Sequence, residues 1–401
     1  MSKIKLAENI YWVGAVDWNI RDFHDYTTKR GSTYNAYLIV DDKIALVDTV
    51  KNAFSDELLR NVRDTVDPEK IDYIVVNHVE MDHSSALPLV KGYMKNATVI
   101  ASTRGREAII QHYGDIFKIE TVKTGDQLKL GERTLQFVEA PMLHWPDSMF
   151  TYVLPDKILM PNDAFGQHLA TSQRFDDEVD EHVLMEEAEK YYANILMLLG
   201  PLIKRKIEEV GQLGIAPVMI APSHGVIWRS NPAKIVDAYL DWSVCKSKQK
   251  ISIVYDTMWG STEKMAKAIA DGAISERVDV KILKLRATDV TEIVTEILDS
   301  KAVIVGSPTL NNGMFPTLSN FLTYITGLKP KDKLWSFFGS YGWGGGAVRN
   351  MAEMTRKAGF EVREPPIEVK FIPTSDDLKK CFTLGQQIAT EVKTQGITKL
   401  P

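Results

Sequence analysis

Cysteine is nearly absent from this chain: Cys245 and Cys381 are the two in 401 residues, far apart and in unrelated contexts. That excludes a disulfide framework and any four-cysteine metal centre, so a bound metal would have to be held by nitrogen and oxygen. No run approaches the roughly eighteen uninterrupted apolar residues of a membrane span, and Met1-Ser2-Lys3-Ile4-Lys5 leads into no hydrophobic signal segment. A soluble cytoplasmic protein is expected. Basic stripes with interleaved aromatics are also missing. Residues 251–401 carry 19 Lys and Arg against 17 Asp and Glu, a balance of +2, which leaves −7 of the overall −5 for residues 1–250. Neither half suits nucleic acid, whereas a small molecule or another protein fits as partner. The length and the 44% of hydrophobic residues suffice for two or three buried cores.

What the sequence does have is a concentration of ligand types. In Asn77-His78-Val79-Glu80-Met81-Asp82-His83, four potential metal ligands follow directly on the apolar run Tyr73-Ile74-Val75-Val76. A strand ending in a ligand-rich loop is a rigid platform for metal chemistry. If the loop is extended, His78, Glu80 and Asp82 point one way and His83 the other, so one loop can serve two neighbouring ions.

The segments around this loop read as an antiparallel start, with strands over 10–13, 34–40 and 43–48 and a turn at Asp41-Asp42. A helix behind a serine cap is expected over 55–66. Residues 181–210 read as a long amphipathic helix interrupted at Gly200-Pro201, and Asn231-Pro232 starts another that runs to about 244. Three more ligand candidates stand where apolar runs stop. His144 lies in Pro141-Met142-Leu143-His144-Trp145-Pro146-Asp147-Ser148 after a strand over 134–139. Asp163 lies in Pro161-Asn162-Asp163-Ala164 after 157–160, and His224 in Pro222-Ser223-His224-Gly225 after 217–221. The ends of strands are where α/β sheets collect their sites. Each residue alone is ordinary. Together with the first loop they make four of the eight His and three carboxylates, and the joint pattern is specific. His112 and His182 read as helix-surface residues.

The order H-x-[HE]-x-D-H, then His, then Asp, then Ser-His-Gly resembles the metallo-β-lactamase superfamily, which implies an αββα sandwich with a two-metal site. Glu80 stands where the zinc hydrolases of that superfamily carry a second His. Exchanging imidazole for carboxylate makes the site harder and more anionic, which favours iron over zinc. With that departure the chain resembles the flavodiiron proteins. The resemblance implies that His78, Glu80 and His144 bind one iron and Asp82, His83 and His224 the other, with Asp163 bridging. Two metals about 3.5 to 4 Å apart can both grip a small diatomic ligand. The same resemblance places His24, Tyr26, His168 and Tyr192 in segments lining the diiron pocket, where they supply protons, gate access or simply pack.

From 245 to 250 the chain is short, polar and basic, and the domain boundary is expected there: 1–248 for the metallo-β-lactamase-like domain and 249–401 for a second. The rhythm then alternates, with strands at 251–255, 278–285, 302–306 and 334–339 and helices at 262–272, 290–298, 318–325 and 347–357. This is a doubly wound parallel sheet. Its first strand runs into Thr257-Met258-Trp259-Gly260-Ser261-Thr262, where hydroxyls and backbone N–H groups at a helix N-terminus can hold a phosphate without a lysine. The pattern is neither a Walker motif nor G-x-G-x-x-G. It resembles the phosphate loop of flavodoxin-like domains, which bind FMN. Pro308-Thr309-Leu310-Asn311-Asn312-Gly313 and Ser340-Tyr341-Gly342-Trp343-Gly344-Gly345 follow the third and fourth strands, where glycines let backbone approach the flavin ring and Tyr341 or Trp343 can stack on it.

The resemblance to flavodiiron proteins spans nearly the whole chain. It implies an FMN-dependent diiron oxidoreductase that reduces dioxygen to water, nitric oxide to nitrous oxide, or both. The chain carries no Cys-rich rubredoxin module, so an external donor is expected: rubredoxin, or a reduced deazaflavin. A head-to-tail homodimer, or a dimer of dimers, is likewise implied. Two other readings compete: a zinc hydrolase fused to a flavodoxin module, distinguished by metal content, and an electron-transfer protein whose metal site is vestigial.

Overall fold

The computed structural model describes residues 4–363 and 365–395; residues 1–3 and 396–401, at the outer ends of the two expected domains, lie outside the described residues. The chain divides into two compact units, Met1–Tyr191 with Pro201–Leu240, and Tyr192–Gly200 with Asp241–Pro401. This division falls inside the helix Pro232–Ser243, ahead of the polar stretch at 245–250.

In the first unit a seven-stranded sheet runs in the order Ile4–Ala7, Ile10–Trp12, Tyr37–Ile39, Ala45–Val47, Tyr73–Val76, Thr98–Ser102, Ile119–Val122. A five-stranded sheet follows in the order Gln127–Lys129, Thr134–Glu139, Met149–Leu154, Ile158–Met160, Met219–Ile220. Alternation along the strands sorts the apolar residues into two cores. Trp12, Tyr37, Ile39, Val47 and Val75 pack with Phe137, Met149, Val153 and Met160 between the sheets. Leu38, Leu46, Ile74 and Val76 point the other way, onto Leu58 and Val62 of the helix Ser55–Arg63 and Leu87 and Val90 of the helix Leu87–Tyr93. On the five-stranded sheet, Lys206 of the helix Gly200–Gln212 donates to the Glu139 carbonyl (2.8 Å).

Three local expectations need correction. The run 34–40 is not one strand: Ser32–Tyr34 pairs with Ala15–Asp17, and Tyr37–Ile39 joins the large sheet. Ser55 is the first residue of its helix and not its cap; its hydroxyl donates to the Asn52 carbonyl (2.7 Å). The amphipathic stretch breaks earlier than Gly200-Pro201. The helix Glu181–Tyr191 passes into a π-helical turn over Tyr192–Leu196 and a tight turn over Met197–Leu199 before Gly200–Gln212 begins.

The second unit is a parallel sheet in the order Asp279–Lys284, Lys248–Tyr255, Ser300–Pro308, Leu334–Tyr341, Glu361–Val362, with Ile367–Lys370 also pairing to Leu334–Tyr341. The central strand Ser300–Pro308 is buried throughout, which is why Ala302-Val303-Ile304-Val305 reads as a continuous apolar run with no alternation. The sequence pattern assigns no element beyond 357, yet the helix Ser375–Gln395 closes this unit against the helix Ser261–Ser275. The two helices approach so closely that a Cβ at Gly385 would lie 2.0 Å from the Ile269 carbonyl oxygen, and one at Gly272 2.0 Å from that of Phe382. Gly385→Ala is therefore expected to destabilise the second unit by about 2 kcal/mol or more, measured by urea unfolding of the full chain.

Candidate functional site

The strand Tyr73–Val76 delivers Asn77 and His78, and the chain then turns helical at Met81–Ser84. That turn corrects the extended-loop expectation. Asp82 does not point with His78 and Glu80 but goes with His83, so the loop is divided by a change of backbone conformation and not by strand alternation. Ligand atoms of His78, Glu80, His144 and Asp163 lie within 4.8 Å of one another, and so do those of Asp82, His83 and His224.

Asp163 joins the groups. Its Oδ2 lies 3.7 Å from His78 Nε2 and 3.3 Å from His144 Nε2, while its Oδ1 lies 3.0 Å from His83 Nε2 and 3.4 Å from His224 Nε2. Glu80 Oε2 stands 3.3 and 3.2 Å from the His78 and His144 nitrogens, and Asp82 Oδ2 stands 3.3 and 3.1 Å from those of His83 and His224. Each of the four Nε2 atoms thus faces two carboxylates with at most one proton to donate, so hydrogen bonding leaves half of these contacts unsatisfied. Atoms about 2.1 Å from a common cation stand about 3.0 Å apart at right angles and about 3.4 Å apart at tetrahedral angles. The observed separations fit that geometry. Asp82 Oδ1 is also buried without a hydrogen-bond partner, leaving a lone pair for a cation.

The imidazoles are aimed from behind. His78 Nδ1 meets Asp147 Oδ2 at 2.9 Å, which also accepts from the Val79 N–H (2.8 Å). His224 Nδ1 donates to the Thr33 carbonyl (2.6 Å), and Thr33 Oγ1 accepts from the Gly225 N–H (2.6 Å). Gly225 is required there: its φ is +76°, and a Cβ would lie 1.3 Å from Gln167 Oε1. Asp48, buried just past the strand Ala45–Val47, accepts from the Asn77 N–H (2.8 Å), from Asn77 Nδ2 (3.0 Å) and from Asn162 Nδ2 (3.2 Å). It so ties together the loops that carry His78 and Asp163. Asp147 and Asp48 were not singled out from sequence because nothing linear distinguishes an orienting carboxylate from a turn residue.

Burial opposes charge here, but the carboxylates outweigh it and raise His144 to about 9 and His224 to about 10. His78 and His83 are raised as well, and Asp163 is held well below the usual carboxylate range. Without a cation, protons take its place.

The remaining candidates divide. His24 Nε2 lies 3.3 Å from Glu80 Oε1 on a side chain 76% exposed. His168 is buried against His224, with ring centroids 4.8 Å apart, and Ser32 Oγ meets its Nδ1 at 2.8 Å. Burial first, then the neighbouring His224, hold His168 neutral. Tyr26 is buried with its ring 5.2 Å from that of His168. Tyr192 belongs to the second unit, where its ring packs on Trp242 at 5.3 Å. Its neighbour Tyr191, in the first unit, lies 5.1 Å from His168 and 6.2 Å from His224. The helix ends at Tyr191, and a π-helical turn begins at Tyr192.

In the second unit, the three loops enclose a cavity of about 830 Å³, within the size range of cofactor sites. It is lined by Thr257, Met258, Trp259 and Ser261, by Pro308, Thr309, Leu310, Asn311 and Asn312, and by Ser340, Tyr341, Gly342, Trp343 and Gly344. Asn311 and Asn312 both have positive φ and form a tight turn closed by Leu310 and Gly313 in both directions (3.0 and 2.9 Å). Trp259 and Trp343 stand almost fully exposed at the rim. Gly260, Thr262, Gly313 and Gly345 are not among the lining residues; Thr262 is buried, its hydroxyl 2.9 Å from Ser340 Oγ. Phe371 and Ile372, which the sequence reading did not single out, complete the lining.

The family model described as "ODP family beta lactamase" matches residues 33–225, and that described as "Flavodoxin" matches residues 253–385. A protein named nitric oxide reductase from Moorella thermoacetica is 50% identical over 393 residues, covering 97% of this chain and 98% of its own. Two solved structures are similar with a TM-score of 0.97 each. The rubredoxin oxygen:oxidoreductase of Desulfovibrio gigas is 40% identical over 99% of this chain and 100% of its own. The flavodiiron protein of Giardia intestinalis is 35% identical over 100% of this chain and 99% of its own.

Asp147→Ala is expected to weaken metal binding about 10- to 100-fold with the fold intact, measured by chelator competition. Because each cation must displace protons from raised imidazoles, His144 with His78 in one group and His224 with His83 in the other, affinity per cation should rise at least about tenfold per pH unit between pH 7 and 8. The same competition repeated across pH checks the slope; a flat profile would contradict it.

Proposed function

Since the chain belongs to the flavodiiron family, we propose that it is an FMN-dependent diiron oxidoreductase reducing dioxygen to water, nitric oxide to nitrous oxide, or both. The observation that carries this reading is Asp163, whose two oxygens each face one half of a seven-residue cluster. His78, Glu80 and His144 would hold one iron, Asp82, His83 and His224 the other, and Asp163 both. Three carboxylates among four imidazoles make a harder, more anionic set than that of the zinc hydrolases, which carry a second His in place of Glu80, and this favours iron. When bound, FMN accepts electrons and releases them singly, and the two irons deliver them to the gas.

The protein's own groups shape the pocket around that chemistry. Asp147 and the Thr33 carbonyl fix the orientation of His78 and His224, so the cluster is organised before a ligand arrives. His168, neutral, packs behind His224 and turns its Nδ1 to Ser32. Phenols stand beside it: Tyr26, and Tyr191, which burial keeps protonated. Tyr26, Tyr191 and His24 are proposed as the groups nearest to the reacting gas that can hold a proton.

Electrons are proposed to come from rubredoxin, in keeping with the name of the Desulfovibrio gigas relative, with a reduced deazaflavin as the alternative donor. A cytoplasmic location is proposed because both cysteines are free and buried and, among the described residues, no helix is long and apolar enough to cross a membrane. A head-to-tail homodimer is proposed from the family resemblance alone.

Purified protein should contain about two iron per chain and FMN; two zinc in their place would favour the hydrolase. Asp163→Asn should lower gas consumption at least about a hundredfold while flavin absorbance stays unchanged. Parallel steady-state assays with reduced rubredoxin under each gas would assign the preferred substrate.

A further inference from the structure

Directly after the first strand of the second unit, Lys248–Tyr255, stands Asp256, fully buried beneath the loop proposed to take the FMN phosphate. A carboxylate in that place has the wrong sign for a phosphate site. Its Oδ1 accepts from the Thr257 N–H (2.7 Å) and from Arg286 Nε (2.8 Å), and its Oδ2 accepts from Thr317 Oγ1 (2.8 Å). Arg286 reaches in from the connection after the strand Asp279–Lys284, and a second guanidinium nitrogen donates to the Thr257 carbonyl. The guanidinium also lies 5.3 Å from the centroid of the Phe315 ring, next to the helix Pro316–Leu328 that carries Thr317. Thr257 lines the cavity, and its Oγ1 accepts from the Gly260 N–H (3.0 Å), which holds the turn into the helix Ser261–Ser275.

Two functions meet in this arrangement. Arg286 cancels the charge of the buried Asp256 carboxylate, which would otherwise repel a dianion at the adjoining loop, although the guanidinium itself is about half exposed (49%). It also grips both the carboxylate and the carbonyl of adjacent loop residues, a two-point grip that a planar guanidinium can make and an ammonium cannot. We infer that Arg286 is a positioning residue for the flavin phosphate, acting through Asp256: it neutralises this carboxylate and holds the loop with its N–H groups available to the dianion.

The inference rests on the FMN reading above, so the experiment must separate the two. Full-length protein stripped of flavin is titrated by fluorescence with FMN and, in parallel, with riboflavin, which lacks the phosphate. Arg286→Ala should raise the FMN Kd about tenfold or more, and leave the riboflavin Kd within about twofold. Arg286→Lys should fall between wild type and Arg286→Ala. Arg286→Ala combined with Asp256→Asn should recover most of the lost FMN affinity, because the uncompensated charge is gone. Riboflavin binding reports that the second unit is folded, and iron content, held by the first unit, should be unchanged in all variants. Unchanged FMN affinity in Arg286→Ala would overturn the inference, and so would an equal loss for riboflavin and FMN or a double variant no better than the single. Failure of the wild-type protein to bind FMN would instead overturn the functional reading.

Discussion

A carboxylate cannot be buried alone, and Asp163 is buried with two more carboxylates beside it. In a low-dielectric interior that concentration of negative charge requires compensating positive charge at short range. Four imidazoles converge on it, yet protons on their nitrogens satisfy the cluster only in part, because each nitrogen faces two acceptors. A pair of cations satisfies all of it. The constraint propagates outward: the sandwich must bring loops from the ends of several strands to one point, and it must do so without freedom for the imidazoles to turn away.

The two units meet that demand with the same device. In each, an aspartate immediately past a strand is buried and accepts from donors on neighbouring loops. Asp48 collects Asn77 and Asn162, one residue ahead of His78 and of Asp163, and Asp256 collects Thr257, Arg286 and Thr317 around the flavin-sized cavity. Loops are ordinarily the mobile part of a fold. A buried carboxylate with three or more donors turns a set of loops into a fixed frame, because moving any one of them would leave a charge unpaired.

The switch from extended to helical backbone at Met81 shows how a local backbone event shapes a site, dividing candidate ligands two residues apart between two clusters. The π-helical turn at Tyr192–Leu196 marks a second such change: Tyr191, before it, packs against His168 in the first unit, and Tyr192, within it, packs on Trp242 in the second.

Much of this protein was legible without coordinates. Apolar runs that stop at His78, His144, Asp163 and His224 marked strands with candidate ligands at their ends, and the alternation of strands with helices beyond 250 marked a parallel sheet. These are properties of nearest neighbours along the chain, and periodicity reports them. The helical turn that sends Asp82 with His83, the orienting roles of Asp147 and Asp48 and the closure of the second unit by the helix Ser375–Gln395 were decided only in three dimensions. Each depends on which distant backbone or side chain supplies the partner, and hydrogen bonds between residues 69, 29 or 114 positions apart leave no trace in local pattern.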